Sequence, residues 1–172
     1  MSMKVIAISG SLRAASINSM LLRVMADVAP SGIEVRLYQG LGQLPLFNPD
    51  IAEPPPVVAA LRDALLAADA VVIASPEYAH GVTGAIKNGL DWMVGNESFI
   101  DKPVALLNAS PRATHAYASL RETITVMSAR VVEAASITLP LLGANLSEEA
   151  MRADPQICGM LRAALLALKA DQ

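Results

Sequence analysis

Aromatic side chains make up only 3% of this 172-residue sequence, and cysteine occurs once, at Cys158. One thiol rules out an internal disulfide, and the two histidines, His80 and His115, lack the third ligand that a metal site would need. A reducing, cytoplasmic setting is the simplest expectation. Acids and bases are mixed along the chain at a net charge of −3, with no basic block to track a nucleic acid and no acidic docking face. No apolar run approaches the roughly 18–20 residues that cross a bilayer. The opening stretch MSMKVIAISG lacks the small-residue cleavage pattern of a secretory leader. The sequence therefore predicts no nucleic-acid or membrane partner.

What is present is apolar: 53% hydrophobic against 17% charged, the balance of a packed α/β domain rather than a disordered chain. The length suits a single domain over residues 1–172. Lys4–Ser9, Ala70–Ala74 and Pro103–Asn108 are continuous apolar runs, the pattern of strands buried on both faces. Glu34–Tyr38 and Arg130–Leu139 are expected as the second and fifth strands. Helical spacing appears after Ile17 and over Val57–Ala68, Thr83–Val94 and Ala113–Met127. A last helix is expected from about Ser147 to Lys169, with an interruption near Pro155. Gly40–Pro56 holds five prolines and two glycines and reads as a long loop, with Leu41, Leu44, Leu46 and Phe47 expected to tie it down. Alternating strands and helices predict a parallel sheet of order 2-1-3-4-5, covered on both faces. Ligands of such sheets bind beyond the carboxyl ends of the strands, so Ser9–Asn18, Ser75–Gly84 and Asn108–His115 are the segments to inspect.

The first of these, GSLRAASIN, joins a strand to a helix whose opening N–H groups lack partners. Ser11, Arg13, Ser16 and Asn18 add donors at the same place, a set suited to a phosphate monoester. The same residues also read as a helix cap, Ser16, beside a solvated surface charge, Arg13. The Gly-Lys-Ser/Thr ending of a nucleoside-triphosphate loop is missing. So are the three glycines and the following acid of a dinucleotide fingerprint. Among common cofactors, flavin mononucleotide (FMN) fits a donor-rich, glycine-poor loop. In the second segment Pro76 restrains the backbone, and Gly81 and Gly84 permit close approach to a planar ligand. Glu77 reads as a catalytic acid or, as loop glutamates more often are, as solvated or a holder of backbone donors, Tyr78 as a ring contact, and Trp92 as core or interface.

GSLRAASIN followed by SPEYAHGVTGAIKNGLDW resembles the NADPH-dependent FMN reductase family, which includes flavodoxin-like quinone, azo-dye and chromate reductases. The match runs through Gly10, Ser11, Leu12, Arg13, Ser16 and Asn18, then Pro76, Glu77, Tyr78, Gly84, Lys87, Asn88, Asp91 and Trp92. The resemblance implies a flavodoxin-like three-layer sandwich that binds FMN and uses NADPH or NADH as co-substrate. Ser11, Leu12, Arg13, Ser16, Ile17 and Asn18 would hold the phosphate end, Pro76, Glu77, Tyr78 and Ala79 would line the isoalloxazine ring, and Ser110 would bind from the third segment. A hydride would pass to a small electron acceptor: a quinone, free flavin, azo compound or metal oxyanion. The cofactor carries that chemistry, so no side chain is expected as a catalytic group, although either histidine has the chemistry to move a proton. A homodimer or homotetramer is also implied. Two departures stand out. Ala79 replaces the usual asparagine, with His80 after it, and the third segment, SPRATHA, has no glycine. Arg112, Thr114 and His115 therefore bring side chains where the family pattern leaves space. A flavodoxin-type electron carrier and a relative that has lost flavin binding remain the competing readings.

Overall fold

Strand β1, Met3–Ser9, sends Val5 and Ala7 to one face and Ile6 and Ile8 to the other, and all four are buried. That two-sided burial is why its sequence runs apolar without alternating. The computed structural model describes residues 2–172. It adds β2 (Ile33–Leu37), β3 (Ala70–Ala74), β4 (Pro103–Asn108), β5 (Arg130–Val131) and β6 (Ile137–Thr138). All pair in parallel in the order β2-β1-β3-β4-β5, as the sequence predicted, and β6 pairs with β4 beyond the end of β5.

Helices α1 (Ile17–Asp27), α5 (Glu148–Ala153) and α6 (Pro155–Ala170) cover one face, packing Leu21, Leu22, Met25 and Leu165 on Val5, Val72 and Leu107. Helices α2 (Pro56–Leu66), α3 (Gly84–Met93) and α4 (Thr114–Val126) cover the other, with Leu61, Ile86 and Ile124 over Ile73 and Leu106. Each such fully buried aliphatic side chain contributes about 1.5–3 kcal/mol. No helix among the described residues is long and apolar enough to cross a membrane.

Two expectations change, and the expected interruption of the last helix near Pro155 is met. The fifth strand is not the continuous Arg130–Leu139. Between the Val104–Val131 and Leu107–Ile137 pairs, β4 advances three residues while its partner advances six. The surplus folds into a 3-10 turn, Glu133–Ala135, and the orphaned ladder N–H of Leu106 donates to Ser136 Oγ at 3.1 Å instead. The last helix is two, because Asp154 caps α6 through the N–H groups of Gln156 (2.8 Å) and Ile157 (3.1 Å), with Pro155 at its first position. In the 40–56 loop, Leu41 and Leu44 are buried as expected, but Leu46 is 84% exposed and Phe47 42%.

Polar groups add to these apolar ties. Asn88 Nδ2 and Trp92 Nε1 both donate to Pro45 O, at 2.9 and 2.8 Å, and Phe47 N donates to Asn88 Oδ1 at 2.8 Å. Phe47 also meets Trp92 edge to face, with ring centroids 5.2 Å apart. Asn88→Ala removes two of these bonds and is expected to cost about 1–2 kcal/mol. Faster hydrogen exchange at the Phe47 amide is the check.

Candidate functional site

The carboxyl ends of β1, β3 and β4 form a crest on which three segments meet: 9–18, 75–84 and 108–115. The first two are locked together at Gly10. Its N–H donates to Ala74 O at 2.8 Å and its carbonyl accepts from Thr83 Oγ1 at 2.6 Å. A Cβ on Gly10 would lie 2.1 Å from Ser75 Oγ and 2.6 Å from Ser75 Cβ, so this glycine serves close approach. Thr83 also caps α3, accepting from Ile86 N at 3.3 Å.

Polar burial concentrates on this crest. Of seven buried polar side chains among the described residues, six stand on it: Ser11, Ser16, Asn18, Thr83, Asn108 and Ser110, the seventh being Ser98. Thr83 and Asn108 were not singled out from the sequence. Their signals were a hydroxyl just before a helix and an asparagine ending a strand. Asn108 organises the third segment, accepting from Ser110 N (3.1 Å) and donating to Ala113 O (3.2 Å).

At the start of α1, Asn18 N donates to Ser16 Oγ at 3.2 Å and Met20 N to Ser16 O at 2.9 Å. The N–H groups of Ile17 and Ser19 are left without an acceptor inside the helix. Asn18 is 3% exposed, and its Oδ1 is buried without a hydrogen-bond partner. An orphaned buried acceptor costs about 1–3 kcal/mol. A ligand hydroxyl donating to Oδ1 would satisfy it, or a half-turn of the amide would offer Nδ2 to an anion. Arg13 is exposed and enters none of the ion pairs among the described residues. Leu12 beside it is exposed and packs over Gly42. A cavity of about 200 Å³ opens beside Arg13, lined by Ser9, Ser11, Arg13, Ser19, Arg23 and Tyr38 but not by Ser16, Ile17 or Asn18. Burial pushes the Tyr38 phenol up, which keeps it neutral. These free donors, the unpaired amide and the unpaired guanidinium fit the phosphate end of FMN.

A larger groove of about 770 Å³ lies elsewhere, between α2 and the β1–β2 edge, and holds none of the expected site residues.

In the second segment, Pro76 and Glu77 are half-buried, while Tyr78 and Ala79 are exposed. Glu77 is a holder of backbone donors: its Oε2 accepts from Ala116 N at 2.8 Å, capping α4 from another loop where Ala113 offers no cap of its own. Tyr78 and Gly81 exchange both backbone hydrogen bonds, at 3.1 and 2.9 Å, around a two-residue turn. Its central residues, Ala79 and His80, both have positive φ, +48° and +60°. Such turns favour Asn-Gly, and a side chain with Cβ is strained there by about 1–2 kcal/mol per residue. The backbone itself therefore explains an asparagine preference at position 79. Ala79→Asn is expected to stabilise the fold by about 1 kcal/mol in thermal or urea unfolding. No side chain approaches the Cβ position of Gly84, where the space is open.

The expected residues thus fall on one crest, with Ser11, Ser16, Asn18 and Ser110 buried in it and Ile17 half-buried. A model of the NADPH-dependent FMN reductase family matches residues 3–141. The chain belongs to the NADPH-dependent FMN reductase family. Among its relatives in that family, an NAD(P)H-dependent FMN reductase of Pseudomonas aeruginosa is 40% identical over 111 residues, covering 62% of this chain and 60% of the relative. A quinone reductase of Escherichia coli is 34% identical over 113 residues, covering 63% and 60%. The chain thus matches about three fifths of the length of these relatives. FerB, a flavoenzyme NAD(P)H:(acceptor) oxidoreductase from Paracoccus denitrificans, superposes with a TM-score of 0.76 at 26% identity, over 98% of both chains.

Proposed function

We propose that this member of the family is an FMN-dependent NAD(P)H oxidoreductase. The observation that carries the reading is the buried Asn18 amide at the start of α1, whose Oδ1 has no partner and which, turned by half, offers Nδ2 to an anion alongside the free helix N–H groups. In this reading Ser11, Leu12, Arg13, Ser16, Ile17 and Asn18 surround the phosphate. Helix charge, hydroxyls and guanidinium there supply charge-assisted hydrogen bonds. Pro76, Glu77, Tyr78 and Ala79 border the ring, and Ser110 closes the third side. Glu77 acts through α4, holding the third segment in place rather than moving a proton.

When bound, FMN supplies the hydride chemistry between nicotinamide and acceptor. The chain's own part is to grip the phosphate, orient the ring and leave one side open. The named relatives support NADPH or NADH as donor and a quinone or flavin as acceptor; azo compounds and metal oxyanions share the same open face. A homodimer or homotetramer in a reducing, cytoplasmic setting completes the reading. Leu46, exposed on a loop pinned by Asn88 and Trp92, is a contact surface for such assembly. The test is turnover: purified, FMN-loaded protein should consume NAD(P)H steadily with a quinone and no partner protein. A single burst equal to the flavin content would contradict enzyme function and favour an electron carrier.

A further inference from the structure

The chain's two histidines meet across the crest. His80, from the strained turn of the second segment, and His115, from the first turn of α4, stack with ring centroids 4.3 Å apart and planes 20° from parallel. Both are exposed, so burial does not force the contact. His80 holds its place at φ +60°, in the left-handed region that few residues other than glycine occupy and histidine more often than most. A strained residue persists where its surroundings over-determine it, and such residues gather at ligand clamps. Here the second tie between the same elements, Glu77 Oε2 to Ala116 N, fixes the register of the turn against α4.

His115 is the bulkiest side chain on the third segment apart from Arg112. Any other staggered rotamer takes its imidazole off His80, on a segment that shares the crest with Ser110 and Pro76. We propose that His80 is a positioning residue for the cofactor slot: by stacking on His115 it parks that imidazole against the turn, so that a third segment without glycine still admits a planar ring. The proposal rests on the FMN reading above. It also makes His80 useful only because His115 is there, which a double-mutant cycle detects.

His80→Gly removes the ring and suits the positive φ, so it should fold as well as or better than the parent, with Tm unchanged or raised. Its FMN affinity should nevertheless fall about five- to tenfold, because His115 is released. His80→Phe keeps an aromatic stack and should restore affinity. His115→Ala leaves nothing to park and should bind within about twofold of the parent, and His80→Gly/His115→Ala should bind like His115→Ala alone. In the ligand-free protein, the His115 ring protons should lose the upfield ring-current shift of the stack in His80→Gly, seen by NMR. A merely structural role for His80 would move Tm and affinity in the same direction and give additive effects. If the parent binds FMN and His80→Gly binds it equally well, the parking role is overturned while the FMN reading stands. If the parent takes up no FMN at all, the reading fails and the parking role with it.

Discussion

Gly10→Ala should destabilise the protein by about 3 kcal/mol, an overpacking cost at the upper end of the usual range. The methyl would sit 2.1 Å from Ser75 Oγ and 2.6 Å from Ser75 Cβ. Neither group can retreat easily. Ser75 directly follows β3, whose pairing with β1 runs to Ser9–Ala74, and Gly10 N is held on Ala74 O at 2.8 Å. Separation of the two segments would also stretch the 2.6 Å bond from Thr83 Oγ1 to Gly10 O, which joins the start of α3 to the 9–18 segment. For a chain of this size that loss corresponds to a fall in Tm of about 6–12 °C by calorimetry. Ser75→Gly in the same chain should recover most of it, because the nearest remaining atom is Ser75 Cα at 3.1 Å. An unchanged Tm in Gly10→Ala would show that the crest is looser than this packing requires.

The second large effect lies in binding. Arg13→Ala should weaken FMN by about 1.5–3 kcal/mol, roughly 10–150-fold, the worth of a guanidinium–phosphate hydrogen bond. The ligand-free protein should barely notice, within about 0.5 kcal/mol, since Arg13 is exposed and unpaired among the described residues. Asn18→Leu should split the two properties in opposite directions. Removing the orphaned Oδ1 from its buried position should stabilise the ligand-free fold by about 1 kcal/mol. FMN affinity should fall about tenfold with the lost polar contact. Parallel urea unfolding and flavin titration separate these outcomes. Asn18→Leu that loses stability without losing affinity would make Asn18 an ordinary core residue.

The sheet was legible because strands buried on two faces have no choice but to run apolar, as in Lys4–Ser9 and Ala70–Ala74. The split of the fifth strand was not. Ser136 replaces a backbone partner with its side chain, and a serine in a strand carries no periodic signal. Leu46 misled because apolar character alone does not say whether a loop residue is buried, and the polar ties came from Asn88 and Trp92, over forty residues away. On the crest, GSLRAASIN was readable since caps and donors act locally along the chain. Glu77 was ambiguous because its acceptor role is completed by Ala116, on another element. The turn at Ala79-His80 lacks the asparagine and glycine that normally announce positive φ, and the imidazole stack joins residues thirty-five positions apart.

The central claim is that the start of α1 grips a phosphate. The direct measurement is the affinity of the apoprotein for FMN against riboflavin, which differ in that group alone. FMN should bind about 100-fold more tightly or better, given two or more charge-assisted hydrogen bonds, and Arg13→Ala should shrink the ratio by at least about tenfold. Equal affinities for the two flavins would contradict the account.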